Sequence, residues 1–418
     1  MGSTSEEPLK PTRRVLLLCQ HFYPEMISTG MHMTELSIAL AKLGWQITVC
    51  SAQPTLLLEK NNPRVPRKME YCGVKIIRVP SLGGHSGGIL NRFVFAITYL
   101  VMSTLFVMRN IKGFDGVLIT TNPPFLGLLG WMISRLFTKP FILIVYDIYP
   151  EIVVKLGWFK PNSVIVRIWD YIARLIFNKS ACNVVIGRDM QELVTQKIKP
   201  DRKNKILLIP NWSDDEVVYP VPKPDNSFKK EFCPDDRLVV QYSGRMGRTH
   251  NIEPLIEAAE LLKDKPFVFQ FIGEGAKKSV LQGMSQKKGL KNVYFLPYQP
   301  VERLSEALSA ADVAVVCLES VFTGLSVPSK TYGIMAAATP IIGFLNPLSE
   351  IGRTIIENNC GIVLDNPTGA SVAKVLLQWL DDREHLQMMG WRGYEAFKRN
   401  YTLKVAAQRY SNLMSEVF

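Results

Sequence analysis

Residues 238–263 read "LVVQYSGRMGRTHNIEPLIEAAELLK" and contain a complete strand, loop and helix. The stretch begins with the continuous apolar run LVVQYS, which is typical of a strand buried on both faces of a parallel sheet. A loop with two glycines, GRMGRTHN, leads into IEPLIEAAELLK, which has the apolar spacing of a helix. A strand that continues through a loop into a helix is the repeating unit of a doubly wound sheet.

The same alternation recurs on both sides of this stretch. Later strand-like runs are FVFQFI, NVYFLP, DVAVVCL, TPIIGF and GIVLD, and earlier ones are RVLLLC, WQITVC, GVLIT, FILIVY and CNVVI, with helical patterns between them. The 418 residues exceed the roughly 250–300 at which a single core stops growing. The sequence therefore predicts an α/β protein with two doubly wound, Rossmann-like domains that face a central cleft. In such sheets ligands bind beyond the carboxyl ends of the strands.

A change in composition predicts the domain boundaries. Residues 213–237 are rich in proline and charge and have no regular period, which is typical of an inter-domain linker or a long loop. We therefore expect an N-terminal domain over residues 1–212 and a C-terminal domain over 238–398. Residues 399–418 are predicted to form a last helix that returns to the N-terminal domain, by analogy with the fold.

Composition and charge limit the class of partner. The formal net charge is +12 and the pI about 9.3, which favours anionic partners. No basic run with interleaved aromatics occurs, so nucleic acid is not expected to be the partner. The seven cysteines are scattered without any CxxC, the pattern of reduced thiols in a cytosolic protein. This pattern favours neither a disulfide framework nor a zinc site.

Two apolar segments raise the question of membrane contact. Residues 93–108 are sixteen uncharged residues, fewer than the roughly 20 that a spanning helix needs, so a buried core helix is favoured over an interfacial one. Residues 164–177 form an amphipathic, basic pattern with a tryptophan, which suits either packing on a sheet or contact with an anionic membrane. We expect a cytoplasmic protein that is peripheral on the inner face of the cell membrane.

The segment VPSKTYGIMAA raises a question about its lysine. Ser329 is predicted as the N-cap of a helix whose first turn contains Lys330. A cation in the first turn is disfavoured by up to about 1 kcal/mol, because the unpaired N–H groups there already carry partial positive charge. Either Lys330 points into solvent, or an anion binds at that end. The basic loops that follow neighbouring strands favour an anion, in particular a diphosphate.

Other strand ends in the second half supply further candidates. Arg245 follows a strand beside two glycines and suits a diphosphate clamp. The remaining substrate-binding candidates of this half are Asn251 before a helix, Gly273 after FVFQFI, Tyr298 after NVYFLP and Glu319 before the loop VFTGLSVPSK.

Strand ends in the first half supply a second set. Gly30 lies at a helix entry, where it suits a structural turn and a phosphate contact equally. Asn122 lies in a turn that ends GVLIT, and Arg188 follows CNVVI. Asp147 and Glu151 lie at the mouth of a buried strand, where two acids are costly unless they are paired or functional. The alternative for these two acids is a pair of helix N-caps.

Taken together, the motifs resemble a known family. The segments YSGRMGRTHNIEPLIEAAELL, FIGEGAKK, LPYQPVERLSEALSAADVAVVCL and VPSKTYGIMAAATPII are similar to those of family 4 glycosyltransferases of the GT-B fold. VYDIYPE and LIPNWSD are similar to the branch that assembles bacterial surface polysaccharides and lipid-linked sugars. The resemblance implies an enzyme of class EC 2.4 that transfers a sugar, with retention at the anomeric carbon, from a nucleotide sugar to a lipid-linked or other saccharide acceptor. It also implies no metal and no cofactor.

The resemblance assigns roles to the candidates. Arg245 and Lys330 would neutralise the donor diphosphate, and Gly30 would let a helix approach the phosphates. Asp147 and Glu151 would face the transferred sugar or the acceptor hydroxyl. The residues expected around the nucleotide or sugar are Asn251, Gly273, Tyr298 and Tyr332.

Two departures from the family pattern leave alternatives open. The paired glutamates of the family fall at Leu325 and Gly333 here, and the usual basic residue after the Arg245 motif is His250, which can be neutral at pH 7. The alternatives to a transferase are a nucleotide-sugar 2-epimerase of the same fold and a nucleotide-binding subunit without catalysis.

Overall fold

The structure is a computed structural model that describes residues 13–25, 28–55, 65–84, 88–233 and 235–418. The chain divides into two compact units. The first unit comprises Met1–Val185, Val194–Ile209 and Ala407–Phe418, and the second comprises Ile186–Leu193 and Pro210–Ala406.

The first unit is built on an eight-stranded sheet of order β3-β4-β2-β1-β5-β6-β7-β8. All neighbouring strands are parallel except the antiparallel pair β3 and β4 at one edge. Because β1 lies between β2 and β5, the chain reverses direction across the sheet there, and the carboxyl ends beside it are the expected ligand edge. The strands are β1 Arg14–Leu18, β2 Gln46–Ala52, β3 Lys68–Tyr71, β4 Val74–Val79, β5 Gly116–Thr120, β6 Phe141–Val145, β7 Cys182–Val185 and β8 Ile206–Leu208.

Helices cover both faces of this sheet. The helices of the first half of the chain are α1 Ser28–Lys42, α2 Gly88–Asn110, α3 Leu126–Phe137, α4 Glu151–Lys155, α5 Val164–Lys179 and α6 Arg188–Lys197. The connections through α2, α3 and α5 all run toward β8, whereas the connection through α1 runs the other way. Because parallel crossovers are right-handed, α2, α3 and α5 share one face of the sheet and α1 lies on the other.

The second unit is built on a six-stranded, fully parallel sheet of order β11-β10-β9-β12-β13-β14. Its reversal point lies between β9 and β12, so the loops after these two strands are the expected ligand edge. The strands are β9 Leu238–Ser243, β10 Phe267–Ile272, β11 Val293–Leu296, β12 Val313–Cys317, β13 Ile341–Phe344 and β14 Gly361–Leu364.

The helices of the second half complete the fold. They are α7 Ser227–Phe232, α8 Glu253–Leu261, α9 Lys278–Lys287, α10 Leu304–Ser309, α11 Lys330–Ala336, α12 Glu350–Glu357, α13 Gly369–Leu380, α14 Arg383–Asn400 and α15 Leu403–Val417. The core between α8, α13 and the sheet contains Tyr242, Phe267, Phe269 and Phe271, all fully buried. Burial of one such side chain stabilises the fold by about 1.5–3 kcal/mol, so the strand ends that carry the site rest on a rigid support.

These two parallel sheets with helices on both faces confirm the predicted α/β, doubly wound fold. The sequence did not predict the β3–β4 hairpin, which is short and forms an edge. The segment 213–237 also differs from the expected linker, because it contains α7 and packs within the second unit. There Tyr219 N and Val221 N donate to Ser305 Oγ and Ser309 Oγ, each at 3.1 Å, and Asn226 Nδ2 donates to the carbonyl of Glu306 at 2.8 Å.

Residues 93–108 form a helix, as predicted, but the prediction that this helix is buried in the core is wrong. Helix α2 buries one narrow side, with Phe95, Tyr99 and Val107 facing the sheet. Only 22% of the apolar segment is buried, and the span Leu90–Gly113 is long and apolar enough to cross a membrane by length and composition. An exposed stripe at helical spacing consists of Leu90, Phe93, Ile97, Val101, Leu105 and Met108, which are 41–76% exposed.

Candidate active site

Lys330 is the first residue of α11, and its ammonium group lies in the second unit rather than in solvent. Its Nζ is buried and has no hydrogen-bond partner among the residues that the structure describes. The ammonium lies 3.8 Å from the centroid of the Tyr242 ring, a cation–π contact. Burial lowers the pKa of Lys330 from 10.5 to about 8. Ser329 occupies the N-cap position, but its side chain makes no capping hydrogen bond, contrary to the prediction.

Gly244 provides the space for this ammonium. It has a φ of +128°, and a Cβ at this position would lie 3.1 Å from Lys330 Nζ. Gly273, at a φ of +127°, comes so close to the carbonyl of Gly244 that a Cβ would lie 2.2 Å from its oxygen. The loops after β9 and β10 are therefore in backbone contact, and only glycine fits at either point.

The loop after β9 is held by its own strand. The hydroxyl of Tyr242 donates to the carbonyl of Arg245 at 2.7 Å, and His250 Nδ1 lies 2.9 Å from the same oxygen. Burial, followed by the charge of Lys330, lowers the pKa of His250 to about 4, so the imidazole is neutral at pH 7. The guanidinium of Arg245 is exposed and has no hydrogen bond or ion pair within the described part of the chain.

The other predicted residues of this edge are Tyr298 and Asn251, which differ in exposure, and Glu319, which lies near a lysine. Tyr298 is 53% exposed, and its ring approaches the bare Cα of Gly273, whereas Asn251 is half-buried. Glu319 lies 3.9 Å from Lys277 Nζ, which also contacts Glu253 at 2.9 Å. Lys277 thus balances the charge of Glu319, a relation that the sequence did not reveal.

Two predicted substrate contacts are engaged with other side chains of the second unit. Tyr332 is 0% exposed, and its ring packs 4.9 Å from that of Tyr401, so its side chain is a core group in this structure. Arg188 binds Glu350 through Nε at 2.9 Å and Glu357 through Nη1 at 2.7 Å. Because Glu350 is only 2% exposed, Arg188 neutralises a buried acid, which gives it a structural role that the prediction missed.

In the first unit, Gly30 lies where two backbone segments meet. A Cβ there would come within 2.7 Å of the carbonyl oxygen of Glu25, so glycine is required by packing. Asn122 is half-buried at the end of β5, where its carbonyl accepts a hydrogen bond from Thr120 Oγ1 at 2.9 Å. Packing thus accounts for the glycine, and any phosphate contact of Gly30 stays a prediction.

Asp147 and Glu151 have different surroundings, although they are close in sequence. Glu151 is bound to Lys197 Nζ at 2.5 Å, and the same Lys197 binds Asp170. Asp147 has no hydrogen bond or ion pair to its carboxylate among the described residues, and burial raises its pKa to about 6. The N-cap of α4 is Pro150, so the capping alternative is wrong for both acids.

A small cavity adjoins Asp147 at the carboxyl ends of β5 and β6. It has a volume of about 40 Å³, and its walls include Phe125, Tyr149, Trp169 and Ala173. No group of three or more His, Cys, Asp or Glu side chains suited to a metal occurs within residues 13–25, 28–55, 65–84, 88–233 and 235–418.

Comparison with known proteins identifies the family. The family described as "Glycosyl transferases group 1" matches residues 224–396. WbjE of Pseudomonas aeruginosa, described as a glycosyltransferase, is 30% identical over 299 residues, which make up 71% of this chain and 73% of WbjE. The chain belongs to the glycosyl transferase group 1 family. It is therefore a glycosyltransferase, an enzyme of class EC 2.4, as the sequence resemblance implied.

Other matches extend along most of the chain. WcaI of Escherichia coli K12, described as a colanic acid biosynthesis glycosyl transferase, is 23% identical over 353 residues, 81% of this chain and 85% of WcaI. Sucrose-phosphate synthase of Thermosynechococcus elongatus has a TM-score of 0.78 at 18% identity, covering 97% of this chain and 99% of the synthase. HepE of Anabaena, solved with UDP and glucose, has a TM-score of 0.72 at 12% identity, covering 97% of this chain and 100% of HepE. These likenesses confirm the GT-B fold.

Proposed function

We propose that this protein is a retaining, family 4 glycosyltransferase of surface polysaccharide synthesis. It moves a sugar from a nucleotide-sugar donor to a lipid-linked saccharide at the inner face of the cell membrane. The observation that carries the proposal is the buried ammonium of Lys330, which has no counter-ion in the described part of the chain. The name of WcaI, which places that relative in colanic acid synthesis, supports a polysaccharide product.

The donor diphosphate supplies the missing counter-ion. A buried charge costs free energy unless it is paired, so a site that keeps Lys330 unpaired favours an anionic ligand. Arg245 adds a second cation with free donors, and guanidinium groups bind phosphate oxygens in pairs. The UDP bound by HepE is a ligand of this chemical class.

The same two cations suit the chemistry of transfer. As the bond between the anomeric carbon and the donor phosphate oxygen breaks, its electron pair moves onto the diphosphate, where Lys330 and Arg245 stabilise the charge. The acceptor hydroxyl bonds to the anomeric carbon on the same face, which retains its configuration, and passes its proton to the departing phosphate. This proposal requires no metal, because the two side chains provide the positive charge.

The shared face of α2, α3 and α5 supports the membrane part of the proposal. In addition to the α2 stripe, this face exposes Leu136, Val164, Ile165, Ile168 and Tyr171 at 56–70%. The three helices contain six basic residues, Arg92, Arg109, Arg135, Arg167, Arg174 and Lys179, and one acid, Asp170. An apolar surface with basic residues matches the interface of an anionic bilayer, where a lipid-linked acceptor would be found.

The function is tested by incubating the protein with nucleotide sugars and lipid-linked acceptors and analysing the products by NMR. We expect acceptor-dependent transfer with retained anomeric configuration, abolished in Lys330→Ala and preserved in the control Lys374→Ala, which changes an exposed lysine on α13. Donor conversion without acceptor would indicate the epimerase instead. Nucleotide binding without turnover of any donor would indicate the inactive subunit.

Membrane contact is tested by sedimentation with vesicles. We expect binding to phosphatidylglycerol vesicles that weakens in high salt and is lost in the double variant Val101→Glu, Leu105→Glu. The control Met388→Glu changes an exposed apolar residue of the second unit and should bind as the parent does. Equal binding of parent and double variant would contradict the α2 stripe as the membrane contact.

A further inference from the structure

The cavity beside Asp147 has a shape and chemistry that the transfer reaction itself does not explain. Its volume of about 40 Å³ is large compared with the roughly 10–15 Å³ that one water needs, so it has room for about three heavy atoms. The cavity lies within the first unit and is lined in part by α3 and α5, two helices of the face where a lipid-linked acceptor would be found, at the ligand edge of the sheet.

Packed aromatic rings form one side of the cavity. The Trp169 ring packs between those of Phe125, at 4.7 Å between centroids, and Tyr149, at 5.6 Å and nearly parallel. Phe159 contacts the same indole edge-on at 6.2 Å. An indole fixed by three rings offers a preformed apolar surface, which favours a methyl group over a hydroxyl.

One carboxylate, that of Asp147, lies in this mainly apolar lining, which also includes the hydroxyl-bearing Thr121 and Tyr149. The carboxylate of Asp147 accepts hydrogen bonds and, when ionised, cannot donate one. Its backbone N–H and that of Tyr146 donate to Thr121 Oγ1 at 3.2 and 3.0 Å, so the turn that positions the carboxylate is fixed. The ligand group must therefore place an N–H or O–H donor at Asp147 and extend about three heavy atoms, ending in an apolar group, into the cavity.

We propose that this cavity binds the acetamido group of a 2-acetamido sugar in the acceptor, with its N–H donating to Asp147 and its methyl group against Trp169. A 2-hydroxyl would leave most of the volume empty. A 2-ammonium group would pair with Asp147 but would also leave room for about two heavy atoms. This inference rests on the proposed function for its assignment to the acceptor, while the cavity itself can be tested separately.

The kinetic test compares acceptor diphospholipids that differ only at C2 of the terminal sugar, as acetamido, hydroxyl or free amine, in gluco, galacto and manno configurations. For at least one configuration we expect kcat/KM of the acetamido acceptor to exceed that of the hydroxyl acceptor by about tenfold or more. Equal values, or a preference for the amine, would overturn the inference. A preference for an acetamido group on the donor sugar instead of the acceptor would also overturn the inference, if that preference persists when the cavity is filled.

Two variants separate a binding role from a structural one. Ala173→Ile fills the cavity with side-chain carbon, so we expect an unchanged or higher unfolding temperature together with loss of the acetamido preference. Asp147→Asn should raise KM for the acetamido acceptor by a larger factor than KM for the hydroxyl acceptor. Trp391→Ala, which removes an exposed indole of the second unit, is the control and should keep the preference.

A binding measurement keeps the test independent of turnover. Saturation-transfer NMR of methyl 2-acetamido glycosides with the unmodified protein should saturate the acetamido methyl most strongly, and Ala173→Ile should remove that signal. If no donor and acceptor pair reacts but this signal is present, the proposed reaction fails and the cavity assignment holds. If transfer occurs and the signal is absent, the cavity assignment fails alone.

Discussion

The two units place opposite charges at the ligand edges of their sheets. In the second unit Lys330 is buried without a counter-ion, and burial lowers its pKa to about 8. In the first unit Asp147 lacks any ion pair in the described residues, and burial raises its pKa to about 6. Both shifts favour the neutral form, which shows that the fold disfavours these charges and a ligand can stabilise them.

Other charged side chains near these two edges are paired with an opposite charge. Glu151 is bound to Lys197, and Arg188 binds both Glu350 and Glu357, so each of these charges has an oppositely charged partner within the protein. Paired charges of this kind hold segments of the fold together, whereas the unpaired Lys330 and Asp147 are the ones that we propose contact substrates. The same distinction separates the residues whose substitution should harm stability from those whose substitution should harm binding.

The largest effect is expected at Arg188. Arg188→Ala leaves the buried carboxylate of Glu350 without its cation, so we expect a loss of about 2–4 kcal/mol in the free energy of unfolding, measured with urea. The double variant Arg188→Ala, Glu350→Gln should recover part of this loss, because no buried charge then remains unpaired. KM for the donor should stay unchanged in the folded fraction, and a large rise in KM would instead support the predicted substrate contact.

Lys330 should respond in the opposite way. Lys330→Met removes the partner of the diphosphate, so we expect UDP or GDP to bind about 100-fold more weakly by calorimetry. The same change removes a buried charge whose pKa falls from 10.5 to about 8, so the unliganded protein should gain about 1–3 kcal/mol of stability near pH 7. Lys374→Met is the control and should change neither quantity. A less stable Lys330→Met protein would show that the ammonium is satisfied without ligand.

A pH series distinguishes the charged from the neutral lysine. Since diphosphate binding requires the protonated form, kcat/KM for the donor should fall about tenfold per pH unit above about pH 8. Binding should also take up a proton at pH 8–8.5, because a bound anion raises the pKa of Lys330. The uptake is measured by calorimetry in two buffers that differ in ionisation enthalpy. The absence of proton uptake would contradict a contact between Lys330 and the diphosphate.

Most strands and the charged residues near their ends could be predicted from the sequence, because local sequence patterns determine them. Continuous apolar runs located β9, β10 and β5, the glycines after β9 pointed to Arg245, and the predicted start of a helix at Ser329 pointed to Lys330. Short, half-exposed edge strands such as β3 lack such a run and were missed. Local patterns do not specify which face of an apolar helix is covered, so the exposure of α2 was missed as well.

Contacts between distant parts of the chain could not be predicted from the sequence. Arg188 and Glu350 are 162 residues apart, and neither segment signals the other. For the same reason the Tyr242 ring below Lys330 and the pairing of Glu151 with Lys197 appear only in the folded chain. The sequence thus located the strand ends that carry charge, and the structure showed which of these charges lack a partner.

The smallest effect is expected at Asp147. Its folded pKa of about 6 lies above the ordinary 3.8, so the folded protein binds more protons than the unfolded chain between these values, and stability should rise as pH falls from about 6 to 4. Asp147→Asn removes the buried charge and should stabilise the protein by about 1–2 kcal/mol at pH 7.5 and by almost nothing at pH 4. Glu151→Gln is the matched change at a paired acid and should destabilise at pH 7.5, because Lys197 then loses one of its two partners. Urea unfolding of both variants between pH 4 and pH 7.5 measures this difference. If Asp147→Asn destabilises the protein at pH 7.5, the carboxylate of Asp147 is stabilised by the fold itself and does not need a ligand.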